Sequence, residues 1–469
     1  MRALDEAKKT IPAALVVYVL TAAAFLLLVP PLETPDEQHH LNYVNFVSRN
    51  LVLPDQYAAE KCVIGEGHQF PLYYMTGAAV VRLFDADGSV DLTDVPNKKH
   101  RLLGGDSLTV PSFRHAGVDI FKARSDRLAF YALRVLSLLF GLITIVFIYR
   151  LAKLFFEVPV WAGFAAVLAA TLPQFVFISI SVSNDGLSNT LAAASLFYMA
   201  KIAVSKDSPK VWKDHLRLGI ALGLGILAKK SGLVLLAPAA IVLIRSAWLR
   251  RPARRALRAL APAAATVVII AILTGWVFAR NRVLYGEFLG SRMEMKTLEP
   301  LGFVDEKTPT AAYVLNDFLG PVGTSFVAMF GQWASFLPPF VYYFYLALLA
   351  AGLAGVIISL IKKGIRAFET CFLLVVLFAA LGAVFYYNLT FTQPQGRLIF
   401  PALGAIAVLV ALGVQQLFSR FKARPARRVL FLALILALLA IDVITVFHLY
   451  RFYHDPAQYA AAFFTGKWG

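Results

Sequence analysis

The chain has 469 residues, of which 59% are hydrophobic and only 16% charged, with a mean hydropathy of +0.68 and a formal net charge of +17. This balance excludes an ordinary soluble domain, and two cysteines, Cys62 and Cys371, with no companions at metal-ligand spacing exclude a disulfide framework and a cysteine metal centre. The positive excess would suit nucleic acid, but its densest stretch, RRPARRALRAL, comes with no binding fold or aromatic platform, so no nucleic-acid partner is expected.

A membrane-spanning helix needs about 20 predominantly apolar residues. Runs of that kind fall at 11–30, 128–150, 160–179, 187–204, 216–229, 231–248, 261–279, 338–361, 369–387, 398–418 and 428–448. They predict an all-α polytopic membrane protein with about eleven transmembrane helices, one integral membrane domain over 1–469. The first run is expected to stay as an anchor, because VPPLETPDE follows it with no small-residue cleavage site. Lysine and arginine collect in alternate connections: Lys8 and Lys9, Arg150 and Lys153, Lys201 to Arg217, Arg245 to Arg258, Lys362 to Arg366, and Arg420 to Arg428. The positive-inside rule puts these in the cytoplasm, with the N-terminus inside and the C-terminus outside. Two long loops, 31–127 and 280–337, then face the outer side and carry most of the acids and turn residues, as in LFDADGSVDLTDVPNKKH. No internal repeat or low-complexity tract is visible.

The first long loop opens with ETPDEQHHLNYVNFV. Thr34 as N-cap, Pro35 at the first helical position and Glu37 at capping-box spacing predict a helix start, with Asp36 favoured by the helix dipole. The helical repeat gathers Asp36, His39, His40 and Tyr43 on a polar face and leaves Leu41, Val44 and Val47 on an apolar one, the pattern of a helix lying on a membrane surface. His39 and His40 could bind a divalent metal, although adjacent histidines lack the four-residue separation of zinc helices. A carboxylate here could instead take a proton from an attacking hydroxyl, with a histidine orienting it.

Further along, a few cations break the inside rule. Lys229 and Lys230, Arg280 and Arg282 in GWVFARNRVLYG, and Arg397 in FTQPQGRLIFPAL all stand at predicted outer ends of spans. Either they snorkel to headgroups or they converge on a cationic pocket for a phosphate or diphosphate whose lipid chain lies in the bilayer. Asn184 and Asp185 in SVSNDGLSN make a turn or belong to that site, and Gln332 and Trp333 in FGQWASFLPP line an acceptor groove or anchor an aromatic belt.

A long first external loop opening with an Asp-Glu pair resembles the GT-C glycosyltransferases, integral membrane enzymes that use polyprenyl-phosphate-linked sugars. TPDEQHHLNYV, GHQFPLYY, SVSNDGL, GWVFARNRVLYGEFLG, SFVAMFGQW and QPQGRLIFPAL, spread from about residue 34 to about residue 402, are similar in order to the bacterial family designated domain of unknown function 2142. The resemblance implies a GT-C fold, Asp36 as catalytic base or acceptor-binding carboxylate with Glu37 beside it, and a second surface helix begun by His68, Gln69, Tyr73 and Tyr74 on the same cavity. Gln395 would join that cavity beside Arg397. Where some such transferases carry a glutamate just before the proline that stands here as Pro71, this chain has Gln69 and Phe70, with Glu66 nearest. The implied activity is inverting transfer of a sugar from a polyprenyl-phosphate donor to an extracytoplasmic glycan, lipid or protein, at the cytoplasmic membrane of a bacterium. A transporter of lipid-linked saccharides, or a polymerase or ligase using diphosphate-linked oligosaccharides, is the alternative.

Overall fold

The computed structural model describes residues 2–84, 95–96, 113–114, 125–204, 211–249, 256–361 and 367–454. Most of RRPARRALRAL, the basic residues at 205–210 and 362–366, and most of the acid-rich stretch after Phe84 lie outside the described residues.

Each predicted span falls on helix. The first is α1 (Arg2–Leu28), and the loop after it folds into α2 (Glu37–Asn50) and α3 (Leu72–Phe84). A two-residue antiparallel pair, β1 (Val95–Pro96) with β2 (Phe113–Arg114), precedes α4 (Ser125–Ala152). Then come α5 (Pro159–Ala170), α6 (Pro173–Ser179), α7 (Asp185–Val204), α8 (Val211–Ala228), α9 (Leu236–Leu249) and α10 (Ala256–Tyr285). The second long loop holds α11 (Ser291–Leu298) and α12 (Gly320–Val327), and α13 (Pro339–Ile361), α14 (Ala367–Asn388), α15 (Leu403–Phe418) and α16 (Arg424–His454) complete the chain. Among the described residues nine helical segments are long and apolar enough to cross a membrane, so the protein is multi-pass. Two of the predicted spans differ from a simple helix. The run at 160–179 bends by 65° between α5 and α6, and α8 opens with Lys213, Asp214 and Arg217, too polar at its start to qualify by composition.

The α5–α6 break follows from Pro173, which cannot donate to the helix ladder. Backbone freed at membrane depth must find partners within the protein. Tyr345 on α13 donates to the Thr171 carbonyl at 2.7 Å, and Gln174 Oε1 accepts the Met329 amide at 2.6 Å. Glycine lets α13 and α15 approach closely: a Cβ added at Gly355 would run into the Gly413 backbone, and one at Gly413 into Gly352.

The capping box at 34–37 is not formed. Helix α2 begins at Glu37 with Asp36 in the left-handed region (φ 59°) and no side-chain cap, while Thr34 Oγ donates to Ser181 Oγ at 2.6 Å. Glu37 is instead half of a buried ion pair. Arg134, in the N-terminal half of α4, donates from Nε to Glu37 Oε1 at 2.9 Å and from a terminal nitrogen to Oε2 at 2.7 Å, with both side chains 0% exposed. The carboxylate also accepts the Leu32 and Val182 amides, both at 2.9 Å, and the guanidinium donates to the carbonyls of Val29 at 2.6 Å and Pro30 at 2.8 Å. A bidentate pair whose carboxylate accepts two further amides and whose guanidinium donates four of its five N–H groups is the form in which buried charge is tolerated. Local spacing favours the cap, but the tertiary partner offers more donors than the N-terminal amides.

Removing one partner of such a pair leaves the other charged and unsatisfied, which costs about 3–5 kcal/mol. Arg134→Met is therefore expected to lower the thermal unfolding midpoint in detergent sharply. Arg134→Lys should recover little, because a single ammonium cannot span two carboxylate oxygens and two carbonyls.

Candidate active site

The α4–α7 end of the bundle, where α1, α6, α8, α10 and α14 also terminate, encloses a cavity of about 190 Å³. Asp36, His40, Glu66, Gln69, Lys229, Lys230, Glu294, Tyr387, Gln393 and Arg397 supply its polar lining, and Val234, Ala380, Ala383, Val384, Leu398 and Pro401 form an apolar flank between the α9 and α14 sides.

Backbone irregularities deliver the charged groups. Between α8 and the tight turn Lys230–Leu235 the chain turns extended at Lys229 (φ −156°), so two successive lysines enter the cavity rather than continuing a helix. The turn packs so closely that a Cβ at Gly232 would meet Gly225 backbone at 2.8 Å. Arg397 stands in a second such turn, Gly396–Ala402, between α14 and α15. A Cβ at Gly396 would collide with the Phe326 backbone, and the Gly396 amide donates to Ser325 Oγ at 2.7 Å. Glu66 rides on the turn Gly65–Gln69, held by Gly65 at φ 83°, by His68 Nδ1 against the Gly65 carbonyl at 2.9 Å, and by the paired bonds of the Gln56 amide to Val63.

Arg397 is the hub. Its Nε donates to Gln395 Oε1 at 2.5 Å, one terminal nitrogen to Asp185 Oδ2 at 3.1 Å, and the other to Asp36 Oδ2. Lys229 Nζ holds the other Asp185 oxygen at 2.5 Å. Three of the five guanidinium N–H groups are thus committed, and two remain for a ligand. A second network joins Lys230 to Glu294, whose other oxygen accepts from Tyr387 Oη at 3.2 Å and lies 3.6 Å from His68 Nε2. Burial pushes the Asp36 carboxyl up, but Arg397 and the neighbouring histidines outweigh it and hold it below its ordinary value. Burial also lowers His40, against the pull of Glu66, Asp36 and Asp185, so its imidazole is neutral near pH 7. His40 is fixed through Nδ1 and Tyr74 Oη at 2.8 Å, with Tyr74 stacked on Tyr43 at 3.7 Å.

The sequence-derived residues divide accordingly. Asp36, His40, Gln69, Lys229, Lys230 and Arg397 line the cavity, and Asp185 and Gln395 hold Arg397 from behind. Asn184 donates to Gln69 Oε1 at 3.4 Å, and His68 and Tyr74 position lining residues rather than facing the space. Tyr73 is buried in the packing under α2 and α3. Glu37 is withdrawn by Arg134. Arg280 donates to the Pro54 carbonyl and Arg282, exposed, to its own Gly286 carbonyl, so neither reaches the cavity. Gln332 ties the Thr34 carbonyl at 2.9 Å, and Trp333 is half-buried outside the cavity. The His39–His40 metal pair does not fit: His39 packs on Gly65 while His40 faces the cavity, and among the described residues no three histidine, cysteine or acidic groups are placed to hold a metal.

The expected cationic pocket is also corrected. Three cations, Lys229, Lys230 and Arg397, meet four carboxylates, Asp36, Glu66, Asp185 and Glu294, and Glu66 Oε2 is buried with no hydrogen-bond partner. Glu294, Tyr387 and Arg134 were not singled out from sequence. Arg134 had a signal, a guanidinium inside an apolar span. Glu294 had none beyond its place in a long outer loop.

Residues 121–277 match the family model described as dolichyl-phosphate-mannose-protein mannosyltransferase. The fold is similar to that of ArnT from Cupriavidus metallidurans bound to undecaprenyl phosphate, with 13% identity, coverage of 95% of this chain and 75% of that one, and a TM-score of 0.52. It is also similar to the archaeal oligosaccharyltransferase AglB from Archaeoglobus fulgidus in complex with an inhibitory peptide and a dolichol-phosphate, with 15% identity, coverage of 93% and 56%, and a TM-score of 0.51. The chain spans little more than half the length of the oligosaccharyltransferase chains that it matches. No curated protein sequence matches it. The chain therefore shares the fold of these two membrane proteins, and the family match covers residues 121–277, about a third of it.

The fit at Gly396 leaves no room for a side chain. Gly396→Ala is expected to force the 396–402 turn off α12, cost about 1–3 kcal/mol of stability, and displace Arg397; thermal unfolding of the purified variant checks it.

Proposed function

We propose that the protein is a membrane glycosyltransferase that moves a sugar from a polyprenyl-phosphate-linked donor to an extracytoplasmic acceptor, with inversion. The observation that carries this reading is the position of Arg397, which lines a cavity with an apolar flank, touches Asp36 and has donors to spare beyond its three protein bonds. The flank suits the first isoprene units of a lipid, and the undecaprenyl phosphate and dolichol-phosphate in the similar structures are carriers of that class. Lys229, Lys230 and the unused N–H groups of Arg397 take the phosphate oxygens. Because these donors are fixed before the reaction, they favour charge that develops on the leaving phosphate.

The acceptor hydroxyl attacks the anomeric carbon from the face opposite the phosphate, so configuration inverts. Its proton passes to Asp36, the carbon–oxygen bond to phosphate breaks, and the electron pair stays on the phosphate, a leaving group stable enough to need little acid help. His40, neutral and pinned by Tyr74, orients the approach, and Glu66 Oε2, without a protein partner, accepts a hydroxyl of the bound sugar. The distribution of lysine and arginine supports an outward-facing cavity, an inside N-terminus and a place in the cytoplasmic membrane.

The test is sugar transfer from a panel of synthetic polyprenyl-phosphate sugars by the full chain in nanodiscs. Asp36→Asn keeps size and the left-handed backbone but removes the base, and should lower kcat by about 10²–10⁴ while undecaprenyl phosphate still binds; transfer at the wild-type rate would refute the assignment. The pH profile is a second check. Activity needs Asp36 ionised, and its folded value lies below the ordinary 3.8, while His40 lies below the ordinary 6.5 and is already neutral. The rate should therefore stay flat as pH falls from 8 to 6.5 and decline only below that; an acid limb centred at or above 6.5 would refute Asp36 as the base.

A further inference from the structure

A second cleft of about 390 Å³, of mixed polar and apolar lining, lies against the first cavity and has no part in the chemistry above. Lys307, Tyr313, Asn316, Asp317, Asn388 and Thr392 line it. The two spaces share one wall. In the last turns of α14, Val384 and Tyr387 face the cavity and Asn388 faces the cleft; in the loop that follows, Gln393 faces the cavity while Thr392 and Pro394 face the cleft. One thickness of backbone therefore separates the cleft from the space that holds Asp36.

The wall is built rather than loose. The segment 303–307 runs antiparallel to 389–392, with the Asp305 amide on the Thr390 carbonyl at 2.9 Å, Lys307 on Leu389 at 2.8 Å and Thr392 on Phe303 at 2.8 Å. Asn388 Oδ1 caps the Gln393 amide at 3.0 Å, and Tyr313 Oη donates to the Asn388 carbonyl at 2.8 Å, which fixes the ring at the rim. Asn316 and Asp317 project from the wide π-helical turn Tyr313–Leu319, a conformation that is uncommon and frequent at functional sites. Both are exposed.

The chemistry of this lining selects its ligand. Lys307 is already paired with Asp305, and Asp317 adds a negative charge, so nothing concentrates positive charge for a phosphate. What is offered instead is an amide with paired donors and acceptors, a carboxylate, a hydroxyl and a held aromatic ring, groups that match the vicinal hydroxyls and apolar faces of a sugar. The space falls in the range of small-ligand sites, roughly 300–1,000 Å³. Pro321 and Pro394 add short apolar faces, but the extended apolar flank that a lipid chain needs belongs to the first cavity.

Resting on the transferase reading above, we propose that this cleft is a saccharide subsite that holds the acceptor glycan, with the attacking hydroxyl presented over the Thr392–Gln395 wall toward Asp36. Asn316 and Asp317 bind acceptor hydroxyls and set acceptor choice, without touching the reacting atoms.

The experiment measures binding, so that it does not depend on turnover. Full-length protein in nanodiscs is applied to an array of defined oligosaccharides, and undecaprenyl phosphate binding is measured in parallel, for wild type, Asn316→Ala/Asp317→Ala and Arg397→Ala. The double variant should lose at least about tenfold in oligosaccharide affinity with undecaprenyl phosphate binding intact, and Arg397→Ala should show the converse. Asn316→Asp and Asp317→Asn, which keep side-chain size, report whether the loss is one of hydrogen bonding or of folding. Absence of any oligosaccharide binding by wild type, undiminished binding by the double variant, or capture of a peptide library at this cleft in place of glycan would overturn the proposal. Oligosaccharide binding that depends on the cleft in a protein that binds no undecaprenyl phosphate would retain the subsite and discard the transferase reading.

Discussion

The Arg134–Glu37 pair is the constraint on which the site rests. It joins the end of α1 through Val29 and Pro30, the loop through Leu32, the start of α2 through Glu37, α4 through Arg134 and the α6–α7 connection through Val182. The residue before Glu37 is Asp36, so the pair fixes the backbone from which that carboxylate projects. With Glu37 turned inward, Asp36 is driven to φ 59° and toward Arg397. Two acids adjacent in sequence thus take opposite parts: one stabilises the fold, and one is left with 30% of its side-chain surface accessible beside the cavity. A buried pair of this kind contributes little net stability over an apolar isostere, but it is intolerant of losing one member, which makes it a positioning device.

The spans were legible because length and hydropathy alone determine them. The breaks were legible only in part: Pro173 marks the α5–α6 bend, whereas the extended residue at Lys229 has no proline or glycine of its own and arises from how closely Gly232 packs on Gly225. The cations show the same limit. Lys229, Lys230, Arg280, Arg282 and Arg397 all stand at one depth in the sequence pattern, and depth is what hydropathy reports. Whether each points inward depends on rotation of its helix, which packing decides. Helix α8 sets Gly219 and Gly223 against Ile269 and Leu273 of α10, and with that azimuth the end of α10 turns Arg280 to Pro54 and Arg282 to Gly286. Two of the four carboxylates at the site, Glu66 on a turn and Glu294 on the short helix α11, come from the long outer loops, and nothing in their local pattern points them at the cavity.

Electrostatically the cavity is arranged in advance. Its cations are held by acids, Arg397 by Asp36 and Asp185, Lys229 by Asp185, and Lys230 by Glu294. Each cation then has a fixed direction, and donors that need not reorient are worth more to a developing charge than mobile ones. The acids also spare the cavity three unpaired charges at membrane depth. Gln395 adds a neutral bond on Nε that orients the guanidinium plane without adding charge.

The consecutive placement of Lys229 and Lys230 has a mechanical consequence. The first belongs to the Asp185–Arg397 chain and the second is bound to Glu294 on α11 in the outer loop. Successive Cα atoms are tied at about 3.8 Å, so a shift of α11 that pulls on Lys230 loads the neighbouring Lys229–Asp185 bond as well. One peptide unit thus joins the Asp185–Arg397 chain to the outer-loop helix α11, so the two ion-pair networks share a single backbone anchor.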